Sequence, residues 1–115
     1  MIEKIGSYRT CLEKQMYGYL TELGYVKDID YYEQYSFKGR VLDFAFVIQR
    51  KPVFRGLDIE VDGVPWHSSP EQRKRDGYRT YKLMKEGWLI ERFGESFNKD
   101  GVQLVLDRYE IKPSL

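Results

Sequence analysis

Residues 41–76 read VLDFAFVIQRKPVFRGLDIEVDGVPWHSSPEQRKRD, and this stretch decides the fold. Apolar residues alternate in two runs, which predicts β-strands at residues 41–48 and 54–62. A basic segment follows. Its serine cap at Ser69, the proline after it and the glutamine three residues after the cap predict a helix that ends near Glu86. Two strands followed by a helix indicate an α/β chain.

Outward from this stretch, capping residues and apolar spacing predict four further elements. Ser7 is a suitable cap for a first helix, and Gly24 is a suitable stop for it in the left-handed conformation. The predicted helices span residues 7–23 and 96–109, and the predicted strands span residues 31–37 and 88–93. The order is αβββαβα. Three consecutive strands form a meander, and the second helix crosses over to bring the last strand into one mixed four-stranded sheet flanked by helices.

Composition limits the class of protein. At 115 residues the chain forms one domain, and 42% hydrophobic with 32% charged residues is typical of a globular protein. The net charge of +1 means that nucleic-acid binding would depend on local clusters of charge. The single cysteine excludes an internal disulfide and a cysteine-rich zinc site. No apolar stretch approaches the roughly 20 residues of a membrane span, so a cytoplasmic protein without a membrane partner is expected.

The alternation assigns side chains to the two faces of the sheet. In the strand at residues 41–48 the large apolar residues share one face and Asp43 lies on the other; they are Leu42, Phe44, Phe46 and Ile48. In the next strand Asp58, Glu60 and Asp62 point away from the apolar residues. Asp58 lies nearer the other end of that strand, and we expect it to be a solvated residue outside any site.

Asp43, Glu60 and Asp62 can converge if the two strands pair antiparallel. Crowded carboxylates are costly without a cation, and Mg²⁺ prefers carboxylate oxygens. The pattern therefore favours phosphodiester cleavage assisted by Mg²⁺, with Mn²⁺ as a second possible ion. The alternative is that acidic residues on an alternating strand simply face water. On these three residues alone the two interpretations are about equal.

His67 is the only histidine, and it follows the acidic strand in a predicted loop. A histidine there suits a general acid or base, although a lone histidine is more often a surface residue.

The basic helix also has two interpretations. Arg73, Arg75 and Arg79 could hold phosphates, or they could form an ordinary solvated face. Asp76 either pairs with a neighbouring arginine or points at the active site. Three apolar or aromatic residues of this helix are expected to pack on the sheet: Tyr78, Tyr81 and Met84.

The succession LDFAF…EVDG…H…RKRD…GW…RF resembles the PD-(D/E)XK nuclease superfamily. Within it, the chain looks like the branch of the very-short-patch-repair endonucleases and the phage homing endonucleases similar to them. The resemblance covers residues 13–93, and the αβββαβ order matches the superfamily core. It implies a restriction-endonuclease-like fold and a magnesium-dependent DNA endonuclease, of homing or phage type, acting in the cytoplasm of a host cell.

The resemblance also implies roles for individual residues. Asp43 looks like the central metal-binding aspartate and Glu60 like the acidic residue of the (D/E)XK element, with the backbone carbonyl of Val61 as a further metal ligand. Glu13 resembles the helical glutamate that helps to organise metal-bound water in the repair-type branch, and His67 resembles the catalytic histidine of that branch. Asp76 resembles an acidic residue in the second helix of the homing-type relatives. Asp62, at the position of the usual lysine, is a further candidate to position water. The phosphate-contacting role of Arg73, Arg75 and Arg79 comes from the basic helix and not from the resemblance.

The chain departs from the family pattern in two ways. Asp62 stands where lysine is usual, so proton transfer would fall to His67. The missing lysine also supports the alternative function, a catalytically weak DNA-binding module on the same fold. A structural or protein-interaction domain ranks last. One cysteine and one histidine cannot build the structural zinc site of the repair endonucleases, so a repair role is not expected. Homing-type relatives carry separate DNA-recognition domains, so the chain is compatible with a fragment of a longer protein; its oligomeric state is left open.

Overall fold

Four strands lie side by side in one sheet, and three helices accompany them, in the computed structural model, which describes residues 9–61 and 69–115. The elements are α1 (Cys11–Glu22), β1 (Tyr32–Phe37), β2 (Arg40–Gln49), β3 (Arg55–Val61), α2 (Pro70–Lys85), β4 (Trp88–Phe93) and α3 (Lys99–Arg108). The predicted α/β class and the order αβββαβα are both confirmed. Within the described ranges, no helix is both long and apolar enough to cross a membrane.

The sheet has the order β1-β2-β3-β4 and is mixed, as predicted. β1 with β2 and β2 with β3 are antiparallel pairs, whereas β3 and β4 are parallel. A parallel pair needs a crossover, and α2 provides it. β3 therefore has a strand on each side and a crossover helix after it. Because β3 is central, the face that carries its acidic residues is partly buried.

Capping residues explain where the helices begin. α1 begins after Thr10 rather than Ser7: the Thr10 hydroxyl accepts the Glu13 N–H at 3.1 Å, and Glu13 Oε1 accepts the Thr10 N–H at 2.9 Å. This capping box was overlooked in the prediction, and Ser7 itself lies outside the described residues. α3 likewise begins after Asn98, not at Ser96. The predicted box at the start of α2 is present, with Ser69 as the cap.

Apolar side chains form two clusters, one on each face of the sheet. The larger cluster joins α1 and α3 to the sheet and includes Met16, Leu20, Phe44, Phe46, Leu57, Ile59, Val102 and Leu106. The smaller cluster lies on the α2 side and consists of Leu42, Ala45, Leu83 and Trp88, with partly buried aromatic neighbours. The acidic residues of β3 lie on the side of this smaller cluster.

The prediction that Leu42 shares a face with Phe44 and Phe46 was wrong. Leu42 and Ala45 are three residues apart and pack in the same cluster, while Phe44 packs in the other. Strict alternation is therefore broken around Asp43. The reason lies in the pairing of the strands: the ladder between β2 and β3 runs from Gln49–Arg55 to Phe44–Ile59, and Asp43 lies just beyond it.

Replacement of Gly87 by alanine should destabilise the fold. Gly87 joins α2 to β4 with φ of 100°, and an added Cβ would lie 2.2 Å from the Phe54 carbonyl oxygen. We expect Gly87→Ala to lower the free energy of unfolding, measured by urea denaturation, by more than about 1 kcal/mol. Gly18→Ala is the matched control, because nothing lies within 4 Å of its added Cβ inside α1. It should stabilise the protein by roughly 0.5–1 kcal/mol. Equal effects of the two substitutions would contradict this account.

Candidate active site

Asp43 and Glu60 meet where the ladder between β2 and β3 ends. The Val61 N–H donates to Asp43 Oδ2 at 3.0 Å, and the Asp43 N–H faces Glu60 Oε2 at 3.5 Å. Two side-chain carboxylates thus accept from backbone N–H groups of the opposite strand, where a regular ladder would use backbone carbonyls. The two predicted metal-binding carboxylates are therefore brought together, and both are partly buried.

The environment of Asp43 disfavours its ionised form. Burial, and then the neighbouring charge of Glu60, raises the pKa of Asp43 to about 7, against the hydrogen bond from Val61 that lowers it. Glu13 adds a smaller repulsion in the same direction. Asp43 thus meets the repulsion of Glu60 and, more weakly, that of Glu13 in a partly buried position. A bound cation would relieve that repulsion.

Glu13 is held in place from two directions. Its Oε1 accepts the Thr10 N–H in the capping box, and its Oε2 accepts the side-chain amide of Gln34 at 3.2 Å. The start of α1 is fastened to β1 a second time by Arg9, which donates to both carboxylate oxygens of Glu33 at 2.6 and 2.8 Å. Such bidentate pairs fix geometry as well as charge. The glutamate predicted on the first helix is therefore held against β1, close enough to Asp43 to repel its charge.

The prediction that Asp58 is a solvated bystander was wrong. Its side chain is fully buried, and neither of its carboxyl oxygens has a hydrogen-bond partner in the part of the chain that the structure describes. Burial, and then the carboxylate of Glu60, raises the pKa of Asp58 to about 10. The physical reason is the central position of β3. Asp58 has Ala45 beside it on β2 and Ile90 beside it on β4, so no sheet edge exposes it to water.

A cavity of about 110 Å³ lies over Asp58 and Glu60, between the sheet and α2. A volume of this size holds several water molecules. Its walls combine acidic and cationic side chains with apolar ones: Val41, Leu42, Asp58, Glu60, Asp76, Arg79, Thr80, Leu83, Ile90 and Arg92. Arg92 lies opposite Glu60 in the pairing of β3 with β4 and donates to the Thr80 hydroxyl at 3.1 Å. The cavity thus connects the acidic strand to α2.

Asp76 lies between the cavity and a neighbouring arginine. Asp76 lines the cavity together with Glu60, and its carboxylate lies 3.9 Å from the guanidinium of Arg79. Of the three arginines predicted to contact phosphates, Arg79 lines the same cavity. Arg73 and Arg75 are exposed elsewhere on α2.

The aromatic residues of α2 do not pack on the sheet, contrary to prediction. Tyr78 is 62% exposed, Tyr81 57% and Met84 54%. Leu83 is the residue of α2 that enters the core. On a helix, Leu83 lies 140° or more from both tyrosines, because successive residues turn by about 100°. Once Leu83 is inserted, the tyrosines necessarily face solvent.

Asp62 and His67 lie outside the described residues, so their roles stay predictions. Within residues 9–61 and 69–115, no group of three or more His, Cys, Asp or Glu side chains is arranged to hold a metal ion. The described carboxylates therefore offer a two-carboxylate site, with the backbone carbonyl of Val61 nearby in sequence.

Sequence reasoning missed Asp58, Gln34 and Arg92. A signal for Asp58 was present, because a strand flanked on both sides and followed by a crossover helix is buried on both faces at its middle. Gln34 and Arg92 carried no such signal. Their contacts depend on how α1 docks against β1 and how α2 lies over β4.

The fold is shared with a nuclease domain of known structure. The chain is similar to the solved catalytic domain of the homing endonuclease I-Bth0305I, with a TM-score of 0.51 and 22% sequence identity over 89% of each chain. At this identity the similarity shows a common fold. No protein-family model matches the chain, and no curated protein matches it in sequence.

The buried acids predict a decrease in stability as pH rises. The pKa values of Asp43 and Asp58 in the folded protein lie above the ordinary 3.8, so the folded state retains protons that the unfolded state has released. The resulting stabilisation is full below about pH 3.8 and is lost as pH rises towards each folded pKa. In chelator, we expect the free energy of unfolding to fall between about pH 5 and about pH 9.

Asp58→Asn isolates this effect. The amide has no proton to lose, so urea denaturation across the same pH range should show a smaller decrease and a more stable protein at about pH 9. Asp107→Asn, on the exposed side of α3, is the control for removal of one charge. An Asp58→Asn protein that loses stability with pH as steeply as the parent would refute the assignment of a buried, protonated Asp58.

Proposed function

We propose that the chain is a metal-dependent DNA endonuclease domain of the homing or phage type, on the very-short-patch-repair-like branch of the PD-(D/E)XK superfamily. The observation that carries this proposal is the meeting of Asp43 and Glu60 at the point where β2 and β3 stop pairing. The fold shared with a homing endonuclease catalytic domain supports the same conclusion.

The donor atoms suit Mg²⁺ or Mn²⁺. Asp43 and Glu60 would supply two carboxylates, and the Val61 carbonyl a neutral oxygen. Mg²⁺ is commonly bound through one or two carboxylates, with water and substrate phosphate completing its shell. The raised pKa of Asp43 fits this assignment, because it comes first from burial and then from the charge of Glu60, and a cation would offset the repulsion. When bound, the ion would neutralise charge on the scissile phosphate and make a water molecule more acidic.

The remaining steps belong to side chains of the chain itself. Glu13, whose charge acts on Asp43, would orient the attacking water. Asp62 would assist it, and His67 would give or take the proton that the reaction moves. Asp76 lines the cavity beside Glu60 and would contribute a further carboxylate.

The cations of α2 would position the DNA. We propose that Arg73, Arg75 and Arg79 contact phosphates, which set the register of a duplex without reading its sequence. Arg79 would do so beside the acidic residues, because it lines the cavity with Glu60.

A catalytically weak DNA-binding module is the second candidate. It is favoured by Asp62 in the position where the superfamily usually has lysine. Such a module would bind duplex DNA and leave it intact with either Mg²⁺ or Mn²⁺.

Substitution of Asp43 tests the proposal. Asp43→Asn keeps an oxygen for the Val61 N–H but removes the charge, so Mg²⁺-dependent nicking of supercoiled plasmid should fall by about 10²-fold or more. Circular dichroism should show an unchanged fold. Asp100→Asn, an exposed carboxylate in the first turn of α3, should cut like the parent. Undiminished cutting by Asp43→Asn would overturn the site assignment. A parent protein that binds plasmid but does not cut it with Mg²⁺ or Mn²⁺ would establish the second candidate.

A further inference from the structure

α2 touches the rest of the protein along a narrow strip. Of its 16 residues, Leu83 is buried and Thr80 partly buried, and the others are exposed. Leu83 packs with Trp88 in the smaller apolar cluster, and Thr80 accepts the hydrogen bond from Arg92. A helix held by one strip leaves the opposite side free for a partner.

That opposite side carries a regular pattern of four residues. Lys74, Tyr78, Tyr81 and Lys85 follow one another at spacings of four, three and four, so they lie within about 60° of one another around the helix. We call them the outer face of α2. Leu83, Thr80 and Asp76 lie on the other side, towards the core and the cavity.

Each tyrosine ring of the outer face has a lysine ammonium group close to it. Lys82 Nζ lies 5.5 Å from the centre of the Tyr78 ring, and Lys85 Nζ lies 5.5 Å from that of Tyr81. These cation–π contacts join residues four apart and favour an outward orientation of both rings. The outer face thus offers aromatic surface with positive charge around it.

The charge of α2 identifies the kind of partner. The helix contains six cationic residues, Arg73, Lys74, Arg75, Arg79, Lys82 and Lys85, and two acidic ones, Glu71 and Asp76. The whole chain has a net charge of only +1, so positive charge is concentrated on this helix. A second copy of the chain would bring like charges together on this face. The pattern fits a polyanion.

The shape of the outer face favours duplex DNA over a single strand. Single-stranded nucleic acid is usually bound in a groove whose aromatic residues stack on bases. The outer face is the convex side of an exposed helix, and the major groove of B-DNA is wide enough to admit one. Its lysines would then lie near phosphates, and its tyrosines near base edges.

We propose that the outer face of α2 docks in the major groove of duplex DNA, with Lys74 and Lys85 at phosphates and Tyr78 and Tyr81 against base edges. This inference rests on the proposed function for its partner, DNA, but not for cleavage. α2 returns between the parallel strands β3 and β4, so its first turns lie at the same end of the sheet as Glu60. The helix itself lies between the outer face and the cavity, so docking there would hold DNA without placing it at Glu60.

Binding of a fluorescent duplex in chelator tests this proposal without cleavage. Lys74→Ala/Lys85→Ala should lower the slope of log affinity against log salt by about two, since each phosphate that a lysine neutralises adds roughly 0.9 to it. Tyr78→Ala/Tyr81→Ala should weaken binding about tenfold or more and leave that slope unchanged. The controls are Lys27→Ala/Lys112→Ala, exposed lysines far from α2 in sequence, and Met84→Ala, an exposed residue of α2 off the outer face. Both should bind like the parent, and all variants should melt at the parent's temperature.

Several results would overturn the inference: parent-like binding by both outer-face variants, tighter binding of the single strand or of polyglutamate than of the duplex, or a dimer that the tyrosine variant dissociates. Asp43→Asn separates the two proposals, because it should bind duplex like the parent. If Asp43→Asn loses cutting while the outer-face variants bind normally, the endonuclease proposal stands and the docking proposal is wrong. If the parent protein never cuts but the outer-face variants bind weakly, the docking proposal stands and the endonuclease proposal is wrong.

Discussion

The site depends on two hydrogen bonds in which side chains replace the backbone. Beyond the Phe44–Ile59 pair, Asp43 accepts the Val61 N–H and Glu60 faces the Asp43 N–H. Backbone donors inside a protein need acceptors, and here the acceptors are side-chain carboxyl groups. The same bonds interrupt the alternation of β2, which sends Leu42 to the α2 side of the sheet. The same two hydrogen bonds therefore bring the carboxyl groups of the candidate site together and set the geometry of the strand around them.

The central position of β3 sets the electrostatic cost of this arrangement. Burial raises the pKa of Asp43 to about 7 and that of Asp58 to about 10, and Glu60 adds repulsion to both. A carboxyl without hydrogen-bond partners in the interior reduces stability unless something compensates for it. Strongly shifted pKa values are concentrated at functional sites. The cation proposed for Asp43 and Glu60 would offset part of the cost.

Local signals predicted most of the fold. The cap at Ser69 and the apolar runs located α2, β3 and β4, because each depends on a few neighbouring residues. The errors concern residues whose burial is decided by tertiary packing. Asp58 is buried because strands lie on both sides of it, and Tyr78 is exposed because Leu83 takes the core position. For the site, the sequence indicated Asp43, Glu60 and Glu13, whereas Gln34 and Arg92 depend on docking between elements.

The central claim is that Asp43 and Glu60 share a divalent cation. Isothermal titration of the protein with Mg²⁺ tests it most directly, in buffers of different ionisation heat. The account predicts one site that Asp43→Asn abolishes. Binding should release more protons at about pH 6 than at about pH 8, because the pKa of Asp43 is raised to about 7 before the ion binds. Mg²⁺ binding that is equally tight in Asp43→Asn, or that releases no proton at either pH, would contradict it.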